Sequence, residues 1–401
     1  MPKALFFNVP AHGHINPSLP LVGELTRRGH HVTYFASEGY RAQIKATGAS
    51  FEPYAQVCDD YFDVQGLSGK VPQRVAHALM TTMRDILPEL LDAAREVQPD
   101  YVMFDGMCPW GYFVARILGL SAVTSLSLLP PVSPPLSALA KPHMLRFVAS
   151  ALLRDFGKGI AAIKISQALG NQYGIAPLGP ASLLNAIGDI AISYTSAYFA
   201  PYAMTAPKAV RFVGWTPNDA GVNHSFPFEN DHRSLIYASL GTVNNDDVTF
   251  FRACIDTFGG SEAALLISTG GKVDPNSFGA LPPNVSIQSW VPQVAVLKQA
   301  ALFITHGGMN SVRDGLYFGV PLLLVPQQGE QTVVAMRVAE LGAGLVLDMS
   351  HVNVETIRAN AARLLAEPGF KVEARRIGES FRAAGGAARA ADEVEVLLRT
   401  G

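Results

Sequence analysis

The chain has 401 residues, of which 49% are hydrophobic and 16% are charged, and its formal net charge is −2. This length predicts two or three domains with large cores, and the small net charge argues against nucleic-acid or membrane-surface partners. Scattered cysteines without metal-ligand spacing, no apolar run of membrane-spanning length and no signal peptide lead us to expect a cytoplasmic protein.

The first predicted elements form a strand, a helix and a second strand. Residues 4–9 are almost continuously apolar, as in a strand covered on both faces. Residues 10–16 are predicted to be a loop, Pro17 to open a helix as its first residue, and residues 31–35 to form the next strand. This unit implies a parallel sheet with a right-handed crossover. The G-x-G-x-x-G fingerprint is absent from the first turn, which argues against an NAD-type domain.

The rest of the first half alternates in the same way, with a pocket expected beside it. Residues 129–135 are proline-rich and residues 144–169 are amphipathic, so both are predicted to cover a pocket, and residues 56–70 to form an irregular loop. The predicted helices are 75–97 and 110–118. The predicted strands are 101–104, which leads into Asp105, and 122–126, 190–193 and 210–213.

A polar segment at residues 216–231 is predicted to link this half to a second α/β half. The second half has predicted strands at 235–240, 264–267, 285–287, 302–305, 321–325 and 345–347, with helices between them. This alternation predicts a second doubly wound domain. Residues 381–398 are predicted to form a single closing helix.

One stretch of the second half has the features of an anion site. An apolar strand ends in His306-Gly307-Gly308, and Asn310-Ser311 are typical of a capped helix start. The N–H groups and dipole of such a helix favour a negative charge, and a histidine beside it can add a charge-assisted hydrogen bond. Trp290 could stack on a base or belong to the core, and Glu330-Gln331 could bind sugar hydroxyls or begin a solvated helix. Together these features indicate a nucleotide-sugar site.

The first half offers a histidine and a carboxylate at one edge of its sheet. His14 follows the first strand and Asp105 ends a later one, and the carboxyl ends of parallel strands share an edge. A histidine oriented by a carboxylate is a general-base arrangement. The residues alone leave open a loop histidine beside a structural carboxylate.

These motifs resemble a known family. The segments Trp290-Val-Pro-Gln293, Thr305-His-Gly-Gly-Met-Asn-Ser311 and Glu330-Gln331 resemble the donor-binding signature of UDP-dependent glycosyltransferases. The segment Pro10-Ala-His-Gly-His-Ile-Asn-Pro17 is similar to the start of the bacterial macrolide glycosyltransferase branch. Matching pieces lie near both ends of the chain in the expected order, so the resemblance runs over nearly its whole length.

The resemblance implies a fold and a division into domains. It implies an α/β chain with two Rossmann-like doubly wound domains facing a cleft, which is the GT-B fold. The implied acceptor-binding domain is 1–215, followed by a linker at 216–231 and a nucleotide-sugar-binding domain at 232–380. Residues 381–401 would form a helix that returns to the N-terminal domain.

The resemblance also implies roles for matching residues. His14 and Asp105 would be the catalytic dyad, while His12 is interpreted as loop structure. Donor binding would fall to Trp290 for uracil, the Val291 backbone for the base edge, Gln293 and Asp314 for ribose, Glu330 and Gln331 for the sugar, and Ser239, Thr242, His306, Gly308, Asn310 and Ser311 for the diphosphate. The chain departs from the pattern at Asp314, where the family usually has glutamate, and at Met309, where many plant relatives have tryptophan.

The implied reaction is inverting transfer of a hexose, with glucose favoured, from a UDP-sugar to a hydroxyl of an apolar small molecule such as a macrolide, a flavonoid or another polyketide or phenolic compound. Met83, Met107 and Trp110 are predicted to line the acceptor pocket. No cofactor, metal, nucleic acid or membrane partner is expected, and the chain is expected to be a monomer or weak dimer. A sugar-nucleotide epimerase and an inactive nucleotide-sugar-binding homologue remain alternatives, and the acceptor, the sugar and the choice of uracil or thymine stay open.

Overall fold

The chain folds into two compact units, each built around a parallel sheet. The computed structural model describes residues 1–54, 72–130, 155–218, 225–229 and 231–400. The first unit comprises Met1–Thr216 with Ala384–Gly401, and the second comprises Pro217–Ala383. The predicted α/β class with two doubly wound parallel-sheet domains is confirmed. Within the described residues, no helix combines the length and apolarity needed to cross a membrane.

The first unit contains a seven-stranded sheet in the order β3-β2-β1-β4-β5-β6-β7, and all of its strand pairs are parallel. Its strands are β1 Lys3–Phe7, β2 His31–Ala36, β3 Ser50–Pro53, β4 Tyr101–Asp105, β5 Ser121–Leu126, β6 Ile190–Ser193 and β7 Val210–Phe212. Its helices are α1 His12–Arg27, α2 Arg41–Lys45, α3 Pro72–Val97, α4 Pro109–Leu118 and α5 Phe156–Tyr173, joined by α12 Gly386–Thr400.

Strands β1 and β4 lie at the centre of the sheet and are almost completely buried. Every residue of β4 is buried, and four of the five in β1 are buried, because helices cover both faces of a parallel sheet. The two strands pair in register, with Phe7 opposite Phe104. Strand β3 was not predicted, because an edge strand with one buried residue lacks the apolar run that marks the central strands.

Helix α1 begins earlier than predicted. It starts at His12, so the predicted loop at residues 10–16 is wrong, and Pro17 and Pro20 lie inside the helix rather than at its first position. The backbone N–H groups of His14 and Ile15 both donate to the Ala11 carbonyl, at 2.9 and 3.0 Å, which closes the first turn before either proline. The turn that carries His14 is therefore helical.

The second unit contains a six-stranded parallel sheet in the order β10-β9-β8-β11-β12-β13. Its strands are β8 Leu235–Ser239, β9 Ala264–Ser268, β10 Val285–Gln288, β11 Ala300–Thr305, β12 Leu322–Leu324 and β13 Gly344–Val346. Its helices are α6 Val248–Phe258, α7 Gln293–Leu297, α8 Met309–Tyr317, α9 Gly329–Glu340, α10 Val354–Ala366 and α11 Pro368–Ala383.

The predicted closing helix is two helices. Helix α11 ends at Ala383 and α12 begins at Gly386, because Gly385 and Gly386 adopt φ angles of 96° and 61°, which interrupt a right-handed helix. A Cβ atom on Gly386 would lie 2.4 Å from the Thr216 hydroxyl oxygen. The start of α12 therefore lies close to Thr216, the last residue of the first segment of this unit. Helix α12 belongs to the first unit, whereas α11 belongs to the second.

Helix α12 is bound to the first unit by hydrogen bonds and ion pairs. Its first residues donate backbone N–H groups to the Val213 carbonyl and to the Thr216 hydroxyl, at 2.6 and 2.9 Å. Further along, Asp392 accepts from Arg28 at 2.7 Å, which joins α12 to the end of α1. The predicted loop at residues 56–70 lies outside the described residues. Of the two segments predicted to cover a pocket, residues 131–135 and 144–154 also lie outside them, whereas residues 156–169 form most of α5.

Candidate functional site

The strand order of the first unit reverses between β1 and β4, and this reversal creates a crevice at the carboxyl edge of a parallel sheet. His14 lies in the first turn of α1, directly after β1, and Asp105 is the last residue of β4. The structure therefore brings together the two residues that the sequence placed at one edge.

The His14 imidazole and the Asp105 carboxylate are in direct contact, with a third side chain beside them. His14 Nδ1 lies 3.0 Å from Asp105 Oδ1 and 2.8 Å from the hydroxyl of Ser127. The Ser127 hydroxyl donates to Asp105 Oδ2 at 2.9 Å, and the Met107 backbone N–H donates to Oδ1 at 2.9 Å. The carboxylate is almost fully buried, so these donors stabilise its charge and fix its orientation.

This geometry determines what the imidazole can do. An ionised carboxylate can only accept hydrogen bonds, so the contact with Asp105 assigns the ring proton to Nδ1. The other ring nitrogen, Nε2, then carries a lone pair that can accept a proton from a bound group, and the neighbouring carboxylate stabilises the imidazolium that results. The side chain of His14 is 14% exposed, so the ring is partly accessible to a ligand.

Ser127 was not among the residues predicted from the sequence, although its position after a buried strand could have indicated it. It lies one residue beyond β5, and β5 pairs with β4 so that Ser125 is opposite Asp105. The rule that placed His14 and Asp105 at one edge also places Ser127 there. His12 is at the start of α1 and packs edge-on against Tyr40, with 5.0 Å between ring centroids.

The residues predicted to line an acceptor pocket lie in or against the core. Met83 and Trp110 have no exposed surface, and the Trp110 indole N–H donates to the Tyr54 hydroxyl at 3.2 Å. Met107 is partly buried and packs against the same core cluster. Phe7 is also fully buried in this cluster. The acceptor-lining role of Met83, Met107 and Trp110 stays a prediction.

The strand order of the second unit reverses between β8 and β11, and His306 lies there, directly after β11. Two glycines enclose its ring. A Cβ atom on Gly241 would lie 2.5 Å from His306 Cε1, and one on Gly308 would lie 2.3 Å from Nε2, closer than real contacts allow. Gly241 also has a φ of 80°, which favours glycine. Larger residues at either position would displace the ring.

The His306 imidazole is neutral at pH 7. Burial lowers its pKa to about 4, although a hydrogen bond to the Ser239 backbone carbonyl acts in the opposite direction. The charge-assisted hydrogen bond expected from the sequence is therefore unavailable until this ring gains a proton. The N-terminal N–H groups of α8, which begins at Met309, provide positive potential beside it.

The cap of α8 differs from the expectation. Gly308 is the N-cap residue and provides no side-chain cap, while Asn310 and Ser311 lie within the helix, so the prediction that these two cap it is wrong. Asn310 instead accepts a hydrogen bond from the Arg313 guanidinium at 3.3 Å. On the neighbouring strand, the Ser239 hydroxyl accepts from the Gly241 backbone N–H at 3.2 Å, in the turn that leads to Thr242.

Trp290 is a surface residue. It follows β10 and its side chain is 59% exposed, so the core alternative is wrong. A Cβ atom on Gly271 would lie 3.3 Å from the indole Nε1, which means that one part of the ring rests on this loop. An exposed indole supported by a glycine loop has the form of a stacking platform, and Val291 follows it directly.

Polar residues predicted to contact ribose and sugar already have partners of their own. The Gln293 amide donates to the Asp314 carboxylate at 2.8 Å, and Asp314 is 8% exposed. The Gln331 side-chain oxygen accepts from the Gln327 backbone N–H at 2.9 Å, so its NH₂ group is oriented to donate elsewhere. Glu330 is exposed in the first turn of α9. Within the described ranges, no three His, Cys, Asp or Glu side chains lie close enough to bind a metal ion.

Comparison with known proteins identifies relatives over the full chain. Residues 255–397 match the family described as erythromycin biosynthesis protein CIII-like, C-terminal domain. The chain is 32% identical to NDP-glycosyltransferase YjiC from Bacillus licheniformis over 403 residues, which covers 98% of this chain and 96% of the relative. It is 29% identical to the oleandomycin glycosyltransferase of Streptomyces antibioticus, with 98% and 90% covered.

Solved structures of glycosyltransferases are also similar to this chain over nearly its full length. The crystal structure of CalG4, the calicheamicin glycosyltransferase, is similar with a TM-score of 0.84 and 30% identity, over 100% of this chain and 99% of that chain. The glycotransferase of kitacinnamycin has a TM-score of 0.85 and 27% identity, over 99% and 100% of the two chains.

The neutral His306 predicts a pH dependence of stability. An unfolded chain takes up a proton at this residue near its ordinary pKa of 6.5, whereas the folded chain does so only near pH 4. Protonation between these values favours unfolding, so the free energy of unfolding should fall by about 2 kcal/mol between pH 7 and about pH 4.5 through this residue. Urea unfolding at both pH values measures it. His306→Asn should show a correspondingly smaller fall, and an equal fall in both proteins would contradict burial of a neutral ring.

Proposed function

Because the chain belongs to the macrolide-type, nucleotide-sugar-dependent glycosyltransferases, we propose that it transfers a hexose from a UDP-sugar to a hydroxyl of an apolar small molecule. The observation that carries this proposal is the contact of His14 with the buried Asp105, supported by Ser127. A sugar-accepting alcohol is a poor nucleophile while it is protonated, so a base within hydrogen-bond reach matters.

In the proposed reaction, His14 Nε2 takes the proton of the acceptor hydroxyl. The acceptor oxygen forms a bond to the anomeric carbon as the bond from that carbon to the diphosphate oxygen breaks, which inverts the configuration. The electron pair leaves with UDP, and the proton stays on the imidazole that faces Asp105. The buried carboxylate, held by the Met107 N–H, stabilises the imidazolium as it forms.

The second unit is proposed to bind the donor. Trp290 provides an exposed aromatic surface for uracil, and the Gln293–Asp314 pair provides polar atoms for the ribose hydroxyls. The N–H groups at the start of α8 are suited to the diphosphate, whose negative charge increases as it leaves. Glucose is the proposed sugar, since two relatives are named UDP-glucosyltransferases, and Gln331 offers an N–H donor for its hydroxyls.

The proposed general base predicts a specific pattern of kinetic losses. His14→Ala should lower kcat by about 10²–10⁴-fold on alcohol acceptors, and by less on acidic phenols that supply some anion unaided. Asp105→Asn should also lower kcat, and the losses should be non-additive in the double variant because the two residues act as one unit. Steady-state kinetics with UDP-glucose measure all three.

The matched control is His12→Ala, which removes the histidine that packs on Tyr40 and should lose far less turnover. An inactive His12→Ala beside an active His14→Ala would mean that the base is misassigned. UDP binding without turnover on any acceptor would instead favour the inactive homologue, and a changed sugar without acceptor would favour the epimerase.

The proposed base platform predicts a loss of donor affinity. Trp290→Ala should weaken UDP binding by about 1–3 kcal/mol, the usual contribution of one aromatic stack to a base, as measured by titration calorimetry. Met336→Ala is a suitable control, because it truncates another exposed apolar side chain of the second unit. Unchanged UDP affinity in a folded Trp290→Ala protein would exclude the stack.

We also propose that the donor is bound without a metal ion, through backbone N–H groups and polar side chains. Turnover measured after treatment with EDTA should then equal that of the untreated enzyme. A loss that magnesium or manganese restores would show that the diphosphate needs a cation.

A further inference from the structure

Three polar side chains lie buried behind the turn that carries His14. Asn8 follows β1, Ser18 lies in α1 and Tyr34 lies in β2, and each is 0% exposed. We call these three residues the buried polar cluster. None of them belongs to the site described above, and their position between α1 and two central strands is one that apolar residues usually occupy.

The cluster connects the two strands to the backbone of the His14 turn. The Asn8 side-chain NH₂ donates to the Tyr34 hydroxyl at 2.6 Å and to the His14 carbonyl at 3.2 Å. The Ser18 hydroxyl donates to the Ile15 carbonyl at 2.8 Å, so the Tyr34 hydroxyl, 2.8 Å from Ser18, is the donor in that pair. The hydrogen bonds therefore run in one direction, from Asn8 through Tyr34 and Ser18 to the helix.

The turn needs such connections because of the prolines in α1. A proline has no N–H group, so Pro17 cannot donate to the Gly13 carbonyl and Pro20 cannot donate to the Asn16 carbonyl, as helical residues normally would. Both prolines follow His14, and α1 therefore lacks the helical hydrogen bonds to the carbonyl one residue before His14 and to the carbonyl two residues after it. The hydrogen bonds to the carbonyls of His14 and Ile15 tie this segment to the sheet instead.

Stability alone does not account for the cluster. Burying polar groups costs free energy unless each is hydrogen-bonded, and the Asn8 side-chain oxygen is buried without a hydrogen-bond partner in the described part of the chain. Apolar residues of similar volume would avoid this cost. A better explanation is that the cluster fixes the position of the backbone that carries His14.

We propose that Asn8, Ser18 and Tyr34 are positioning residues that hold the His14 turn so that Nδ1 faces Asp105 and Nε2 faces the acceptor. The proposal rests on the proposed function of His14 as the general base. None of the three contacts a reacting atom; they act through the backbone of α1. A small displacement of a catalytic group is sufficient to reduce turnover strongly.

The test uses the full chain with Tyr34→Phe, which removes one hydroxyl, and Asn8→Leu, which removes the hydrogen bond to the His14 carbonyl. Each should lower kcat, by about tenfold for Tyr34→Phe and more for Asn8→Leu, with unchanged UDP affinity and UDP-glucose KM. If Asn8→Leu does not fold, the kcat of Tyr34→Phe alone tests the proposal.

Tyr101→Phe is the matched control. Tyr101 is a second fully buried tyrosine of the same sheet, and its hydroxyl contacts His30 Nδ1 at 2.8 Å rather than the His14 turn. It should leave kcat unchanged. Equal losses of kcat in Tyr34→Phe and Tyr101→Phe would mean that only general packing is affected, and wild-type kcat in both cluster variants would also overturn the proposal.

A measurement independent of turnover separates this proposal from the proposed function. In protein labelled at histidine, the imidazole NMR signals of His14, assigned by their absence in His14→Ala, should shift in Tyr34→Phe and stay in place in Tyr101→Phe. Unmoved signals in both cluster variants would refute the positioning role. Shifted signals in a protein that transfers no sugar would uphold the positioning role and refute the proposed function.

Discussion

The contact between His14 and Asp105 depends on one constraint, the adjacency of β1 and β4 in a parallel sheet. The chain leaves these two strands toward opposite sides of the sheet, so a crevice forms at their carboxyl ends. A buried carboxylate is stable there only because N–H and O–H donors surround it. Ser127 lies on the next strand over, which is why a third residue joins the pair.

The second unit has the same reversal of strand order, but different side chains lie at the reversal. Its strand order also reverses at the centre, but the residue placed there is an enclosed histidine whose pKa burial lowers to about 4. In the first unit a carboxylate faces an imidazole, which suits proton transfer. In the second, a neutral ring lies beside the N-terminus of α8, whose backbone N–H groups contribute positive potential. One topology therefore supports two kinds of site.

Sequence patterns predicted the strands well, because buried parallel strands are nearly continuous apolar runs, and they placed His14 and Asp105 correctly at one edge. They failed at the start of α1, where the first turn closes on the Ala11 carbonyl and the prolines lie inside the helix, because a proline is more typical of the first position of a helix than of its interior. The break before α12 was not predicted, although two adjacent glycines in the sequence indicate an interruption of the helix. Exposure of Trp290 depends on packing and was not readable from the sequence.

The pairing of Gly386 with Val213 and of the next residue with Thr216 has a consequence for how such enzymes can be recombined. The first unit is discontinuous, and the second is an insertion between Thr216 and Ala384, beside which these hydrogen bonds join the two segments of the first unit. An insertion whose ends are close together destabilises the host domain little, because its main cost is the entropy of closing the loop. The second unit is therefore a module, which we expect to be exchangeable between relatives through two cuts, one after Thr216 and one before Ala384.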